Sequence, residues 1–170
     1  GGLTGLKWRV IRLLNRHLLK KAVAVIAQTD AMRAEAIDVY KLPADKVVTI
    51  NNPVDRDFII SSAEGCADPL GEGSPRFLSV GNVVERKGFD TLLEAFATIR
   101  QSHPNATLTI VGRDNTEYAQ QLKAGAADGV TFAGFQANPY PYMKHCDVFV
   151  LSSRMEGFPN VPLEAMCFDK

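Results

Sequence analysis

The stretch Arg76-Phe77-Leu78-Ser79-Val80-Gly81-Asn82-Val83-Val84-Glu85-Arg86-Lys87-Gly88-Phe89-Asp90-Thr91-Leu92-Leu93-Glu94-Ala95-Phe96 decides the fold of this sequence. Arg76 to Val80 is a short apolar run that stops at a glycine, as a buried strand does. Gly81 to Lys87 is a polar loop. From Gly88 to Gln101 the apolar residues Phe89, Leu92, Leu93, Phe96 and Ile99 fall on one face at helical spacing. Strand, loop and helix in that order form the first part of a βαβ unit.

The same alternation continues downstream. Ala106 to Val111 reads as a strand that ends at Gly112, and Thr116 to Ala126 as a helix. Val130 to Phe132 is a short strand, Gly134 to Pro141 a loop and Tyr142 to Cys146 a helical turn. Val148 to Leu151 is a strand, Ser152 to Asn160 a loop, and Val161 onward a helix. Such alternation predicts an α/β fold, a Rossmann-like parallel sheet with flanking helices. Ligands of these sheets bind outside the carboxyl ends of the strands. Attention therefore falls on the loops after Val80, Val111, Phe132 and Leu151.

Upstream, Leu6 to Lys21 reads as a helix whose charges, Lys7, Arg9, Arg12, Arg16, Lys20 and Lys21, are all basic. Peripheral membrane contact through helix 6–21 is one expectation from that charge, with Trp8 as an interfacial anchor. A cover helix with a solvated basic face is the other. Ala22 to Gln28 is expected to be a buried strand. Thr29 or Asp30 caps a helix that runs through Tyr40. Val47 to Ile50 is β-rich and is broken by Asn51-Asn52-Pro53. Ser61 to Pro75, rich in Gly, Ser, Pro and acidic residues, reads as a connection or exposed loop.

Composition narrows the function classes. The 170 residues carry 19 basic and 19 acidic side chains, so the formal net charge is zero. This balance argues against nucleic-acid binding through bulk positive charge. The three cysteines, Cys66, Cys146 and Cys167, lack the C-x-x-C spacing of zinc or redox sites and are expected to be reduced thiols. His17, His103 and His145 show no ligand spacing. Asp55-Arg56-Asp57 sits in a polar turn with no further oxygen cluster, so no metal is expected.

Two loops carry chemistry. In Gly81–Gly88, two glycines permit close backbone approach, a helix N-terminus follows, and Arg86 and Lys87 add full positive charges. That combination suits a phosphate or diphosphate, although the Walker and dinucleotide fingerprints are both absent. In the second, Glu156-Gly157-Phe158-Pro159-Asn160-Val161-Pro162-Leu163-Glu164, one carboxylate lies in the loop and one in the helix. Carboxylates accept hydrogen bonds from hydroxyls, so the pair suits a sugar and a ribose.

Taken with Ile110-Val111-Gly112, Phe132-Ala133-Gly134-Phe135 and Asp147-Val148-Phe149-Val150-Leu151-Ser152-Ser153-Arg154, these loops resemble glycosyltransferase family 4. The resemblance covers nearly the whole chain from Ala22 onward. It implies a GT-B fold and retaining transfer from a nucleotide-sugar, with a UDP-sugar the leading donor and GDP-mannose next. A glycan or lipid-linked acceptor is implied, in bacterial polysaccharide or cell-envelope glycan biosynthesis. The donor is a substrate, and no cofactor is expected.

By this resemblance Glu156 and Lys87 are the catalytic pair. Glu156 positions the donor sugar and Lys87 neutralises the leaving diphosphate. Glu164 holds the ribose hydroxyls. Backbone amides around Gly157, Phe158, Asn160 and Val161 line the sugar and diphosphate, and Phe132 to Phe135 lie against the base. Gly81, Asn82 and Arg86 complete the donor-binding set. Many family members carry arginine where Asn82 stands, which weakens the phosphate site unless Arg86 compensates.

The resemblance also implies a division of the chain. Residues 1–54 would be the tail of an acceptor-side domain, 55–75 a linker, and 76–170 a donor-binding domain cut short at its C-terminus. The chain is accordingly expected to be a fragment, inactive alone, from a cytoplasmic protein, with a peripheral place on the inner face of the membrane as the alternative to a freely cytoplasmic one. Two alternatives compete: a nucleotide-binding module without transfer activity, and an unrelated doubly wound enzyme. The second lacks its glycine fingerprint. A glycosidase is a weaker rival, resting on the carboxylate pair alone.

Overall fold

The computed structural model describes residues 5–170, with side chains from residue 9 onward. Leu6, Lys7 and Trp8, named above for the basic helix, thus have side chains outside the described residues. The chain divides into two compact units, Gly1–Pro53 and Val54–Lys170.

In the first unit, helix α1 spans Gly5–Lys21, strand β1 Val25–Ala27, helix α2 Asp30–Asp38 and strand β2 Val47–Thr49. β1 and β2 pair in parallel, Val25 opposite Val47. Thr29 caps α2 by accepting a hydrogen bond from the Met32 amide at 3.1 Å. Arg33 of α2 donates through Nε to the Val47 carbonyl at 2.8 Å, tying helix to strand. The core is small: Ala27, Leu42 and Val47, with Leu19, Met32 and Ile37 against them. The expectation of a buried strand over Ala22–Gln28 needs correction. Val23 is 95% exposed because it lies in the bend before β1 begins, and Ile26 is 63% exposed because it alternates away from the packed Val25 and Ala27.

The second unit begins with helix α3, Arg56–Ala63, inside the stretch read as a connection. Its polar residues concealed it. Asp55 is the helix cap, accepting from the Phe58 amide at 3.0 Å. Ser61 and Ser62 turn their hydroxyls back onto the Phe58 carbonyl. Ile59 and Ala63 are buried.

The remaining elements are strand β3 (Arg76–Val80), helix α4 (Phe89–Ser102), strand β4 (Thr107–Val111), helix α5 (Glu117–Ala124), strand β5 (Val130–Gly134), helix α6 (Tyr140–His145), strand β6 (Val148–Phe149) and helix α7 (Asn160–Met166). α3 packs on α6, where Phe58 meets Tyr140 edge to face and Asn138 donates to the Ser62 carbonyl. The four strands are parallel in the order β5-β4-β3-β6.

Both faces of the sheet are covered, as parallel sheets require. On one face Leu108 and Ile110 meet Phe89, Leu92 and Phe96 of α4 and Ala119 of α5. On the other, Leu78 and Val111 meet Met143 of α6, Cys146 and Ala165 of α7. Full burial of Phe89 and Phe96 contributes roughly 2–3 kcal/mol each. All three thiols are free, and burial pushes the Cys146 thiol up.

β3 and β4 end side by side, and their exits nearly collide. Gly112 has φ 153, and a Cβ there would overlap the Gly81 carbonyl. Gly112→Ala is therefore expected to destabilise the protein by about 2–4 kcal/mol. Gly125→Ala, at φ −100 with only the Gln121 carbonyl at 3.8 Å, is expected to stay within about 0.5 kcal/mol of the parent. Urea midpoints of the two variants check the contrast; equal losses would contradict the close approach at Gly112.

Candidate functional site

The sheet order places β3 beside β6, with β4 and β5 on the far side of β3. The chain leaves β3 toward one face and β6 toward the other: α4 packs in the first core and α7 in the second. At this switch point, where ligands of such sheets bind, the two exit loops meet before their helices part to opposite faces. Both chemistry-bearing loops of the sequence end here.

Backbone contacts hold the two loops together. Residues 85–87 form a short 3-10 turn closed by Gly88 at φ 65. A Cβ at Gly88 would overlap the Ser152 carbonyl, so only glycine lets the loops approach this closely. Ser152 donates its hydroxyl to the Lys87 carbonyl at 2.8 Å, and the Arg154 amide donates to the Arg86 carbonyl at 2.9 Å. The Arg154 guanidinium reaches further, to the Glu85 carbonyl and to Asp90 Oδ2 at 2.6 Å. Its hydrogen bond holds the Asp90 carboxyl down at about 2.

Lys87 and Glu156 meet across this seam. Lys87 Nζ lies 2.7 Å from Glu156 Oε1, and their side chains are 14% and 20% exposed. Arg86 stands 3.9 Å from Glu156 Oε2 with its side chain 62% exposed. The Lys87 hydrogen bond, more than any other cause, keeps the Glu156 carboxyl below its ordinary value. Gly81 leaves room for the Lys87 stem, since a Cβ there would sit 3.4 Å from Lys87 Cε. The site thus offers one ammonium, one carboxylate and a nearby exposed guanidinium.

Asn82 does not join that cluster. Its Oδ1 accepts from the Arg113 amide at 3.3 Å and links the loop after β3 to the loop after β4. Phe132 and Phe135 have different surroundings. Phe132 packs against the α4 side of the core, 5.7 Å from Lys123 Nζ. Phe135 is 61% exposed, with the Arg113 guanidinium 5.3 Å from its ring centre.

Gly157 and Phe158 lie in the turn before α7, and Pro159 is the residue that enters it. Asn160 and Val161 open the helix. Glu164 follows one turn later, half-buried, and burial alone pushes its carboxyl up. No hydrogen bond or ion pair reaches that carboxylate among the described residues. Its charge in turn helps to raise Tyr140, which burial raises first.

The sequence reading assigned no role to Arg154, Asp90 or Arg113. Arg154 and Asp90 are 64 residues apart, and no periodicity signals so distant a pair.

The structure of Anabaena HepE (Alr3699), solved in complex with UDP-glucose, superposes with a TM-score of 0.76 at 22% identity. It covers 95% of this chain and 47% of that one. The fold is GT-B. The model of the glycosyl transferases group 1 family matches residues 67–170, and that of Glycosyltransferase Family 4 matches residues 1–58. The chain belongs to the glycosyl transferases group 1 family. An uncharacterized glycosyltransferase of Methanocaldococcus jannaschii is 28% identical over 95% of this chain and 42% of its own length. The lipopolysaccharide core biosynthesis glycosyltransferase LpsE of Rhizobium meliloti is 40% identical over 54% of this chain and 27% of its own. The chain therefore spans less than half the length of these relatives.

The Lys87–Glu156 pair carries a pH signature. The folded-state carboxyl of Glu156 lies below its ordinary 4.5, so the pair's stabilisation is complete above that value. It is lost as pH falls through the lower, folded value. Lys87→Met is expected to cost on the order of 1 kcal/mol at pH 7 and to flatten the stability profile below pH ~4.5. Carbon-detected NMR titration of Glu156 is expected to show its midpoint moving up in the variant; an unmoved midpoint would count against the pair.

Proposed function

We propose that the second unit binds the nucleoside-diphosphate portion of a nucleotide-sugar, and that the whole protein transfers the sugar to a glycan or lipid-linked acceptor with retained anomeric configuration. The observation that carries this reading is the Lys87–Glu156 pair at the switch point beside α4. Family membership and the UDP-glucose complex of HepE support it. A UDP-sugar is the leading donor. In this reading residues 76–170 serve the donor, and residues 1–54 belong to the acceptor side.

The chemistry follows from the donor and acceptor atoms present. An ammonium has three donors, so Lys87 keeps Glu156 and directs another N–H at a phosphate oxygen. In transfer the bond between the anomeric carbon and the diphosphate oxygen breaks. A bond from that carbon to the acceptor hydroxyl oxygen forms, and the hydroxyl proton passes to the leaving phosphate. Negative charge grows on the diphosphate as the sugar becomes oxocarbenium-like. Lys87, Arg86 and the first amides of α4 meet that charge from fixed positions, which is electrostatic preorganisation. Glu156 accepts hydrogen bonds from sugar hydroxyls and orients the ring. Gly157, Phe158, Asn160 and Val161 line the sugar and diphosphate. Gly81 gives the diphosphate close access to the backbone. Phe135, with Arg113 over it, offers a flat face to the base.

Glu164 completes the reading. A half-buried carboxylate with no protein partner is an energetic cost that a pair of ribose hydroxyls would offset. Its folded-state value is raised, so stability is lost as pH rises from the ordinary 4.5 through that value. Glu164→Gln is accordingly expected to stabilise the free protein at pH 7 by up to about 1 kcal/mol. The same change is expected to weaken UDP binding roughly tenfold or more, and to abolish any preference for UDP over 2′-deoxy-UDP. Calorimetric titration of the full-length protein and its variant measures both ligands. Unchanged UDP affinity in Glu164→Gln would overturn the ribose assignment, and an inverted product anomer would overturn retention.

A further inference from the structure

A second cluster of positive charge lies in the first unit, in a place that the reading above does not use. Arg9, Arg12 and Arg16 of α1 follow one another at three- and four-residue steps and so share one stripe of the helix. With Leu13, Val39 and Lys41 they line a cavity of about 290 Å3 between α1 and the turn that ends α2. Lys41 enters that turn with left-handed backbone, φ 53, a conformation unfavourable for a lysine. Arg12 is already oriented: its Nε donates to the Val39 carbonyl at 3.1 Å. Its terminal N–H groups remain for another acceptor.

Among the described residues none of Arg9, Arg12, Arg16 and Lys41 stands against a carboxylate, a state shared with Arg56, Arg100, Arg113, Lys144 and Lys170 of the second unit; what sets the four apart is that they line one cavity. Like charges gathered round one cavity repel, and an anion placed among them relieves that repulsion. The planar guanidinium fork matches phosphate oxygens in pairs. The exposed apolar row Val10, Leu14 and Leu18 lies on a different side of α1 from the arginines, while the exposed Leu13 lies among them in the lining.

We propose that this cavity binds a phosphate group, carried either by a soluble anion or by a phospholipid headgroup. The full chain is titrated with inorganic phosphate and pyrophosphate while the α1 and 39–41 resonances are followed by NMR. It is sedimented in parallel with vesicles of phosphatidylglycerol and of phosphatidylcholine. Saturable shifts at Arg9, Arg12, Arg16 and Lys41 are expected, weakened roughly tenfold or more by Arg9→Glu with Arg16→Glu. Lys21→Glu, at the end of the same helix and outside the cavity, is expected to change little. Arg9→Gln with Arg16→Gln repeats the test without adding negative charge, and circular dichroism verifies folding of each variant. Saturable pyrophosphate binding without vesicle binding supports a soluble ligand. Arginine-dependent sedimentation with phosphatidylglycerol alone supports a headgroup. Saturation by no phosphate species and no vesicle binding overturns the proposal, as does equal weakening by Lys21→Glu, which marks diffuse charge.

Discussion

The contact between the loop after β3 and the loop after β6 governs the candidate site. These strands are neighbours in the sheet although two strands and three helices intervene between them in sequence. Their chains must part toward opposite faces, and the two exit loops meet where they part. The loops stay at hydrogen-bond distance because Gly88 has no side chain to strike the Ser152 carbonyl. Ser152 and Arg154 then fasten the loops through the Lys87 and Arg86 carbonyls. With the Lys87 backbone fixed from one side and its stem passing Gly81, its ammonium meets Glu156.

The two glutamates of the second loop illustrate how position assigns chemistry to one residue type. Glu156 faces an ammonium and is held in its charged form; Glu164 is half-buried, and that burial pushes its carboxyl up. Both lie in one stretch of chain that turns at Gly157 and enters a helix at Pro159. The first carboxylate contributes to stability near neutral pH and the second subtracts from it. A protein that retains the second tolerates a local cost at the site where its ligand chemistry is concentrated.

Much of this was legible in the sequence, for definite reasons. The strand Arg76–Val80 and the α4 face Phe89-Leu92-Phe96 announced themselves because their apolar periods are undisturbed. Lys87 and Glu156 were found separately, each from the loop around it. Their union was not visible, because a pairing across 69 residues depends on strand order, which periodicity does not encode. Helix α3 was hidden because Asp, Ser and Ser also mark loops; here they cap the helix and bond back into it. The exposure of Ile26 was hidden for the converse reason, since an apolar run does not say how many of its faces are covered, and that of Val23 because such a run does not say where the strand begins. Arg154 lay in the quoted stretch without a role, as its partners belong to another loop.

Arg113 joins two parts of the cleft that are otherwise separate. Its main-chain amide holds Asn82, in the loop that also carries Lys87, while its guanidinium sits over the exposed ring of Phe135. A single residue therefore spans the aromatic end and the charged end. A flat group that settles on that face of Phe135 meets the guanidinium first, so one residue is shared between the ring and the loop that carries the charge.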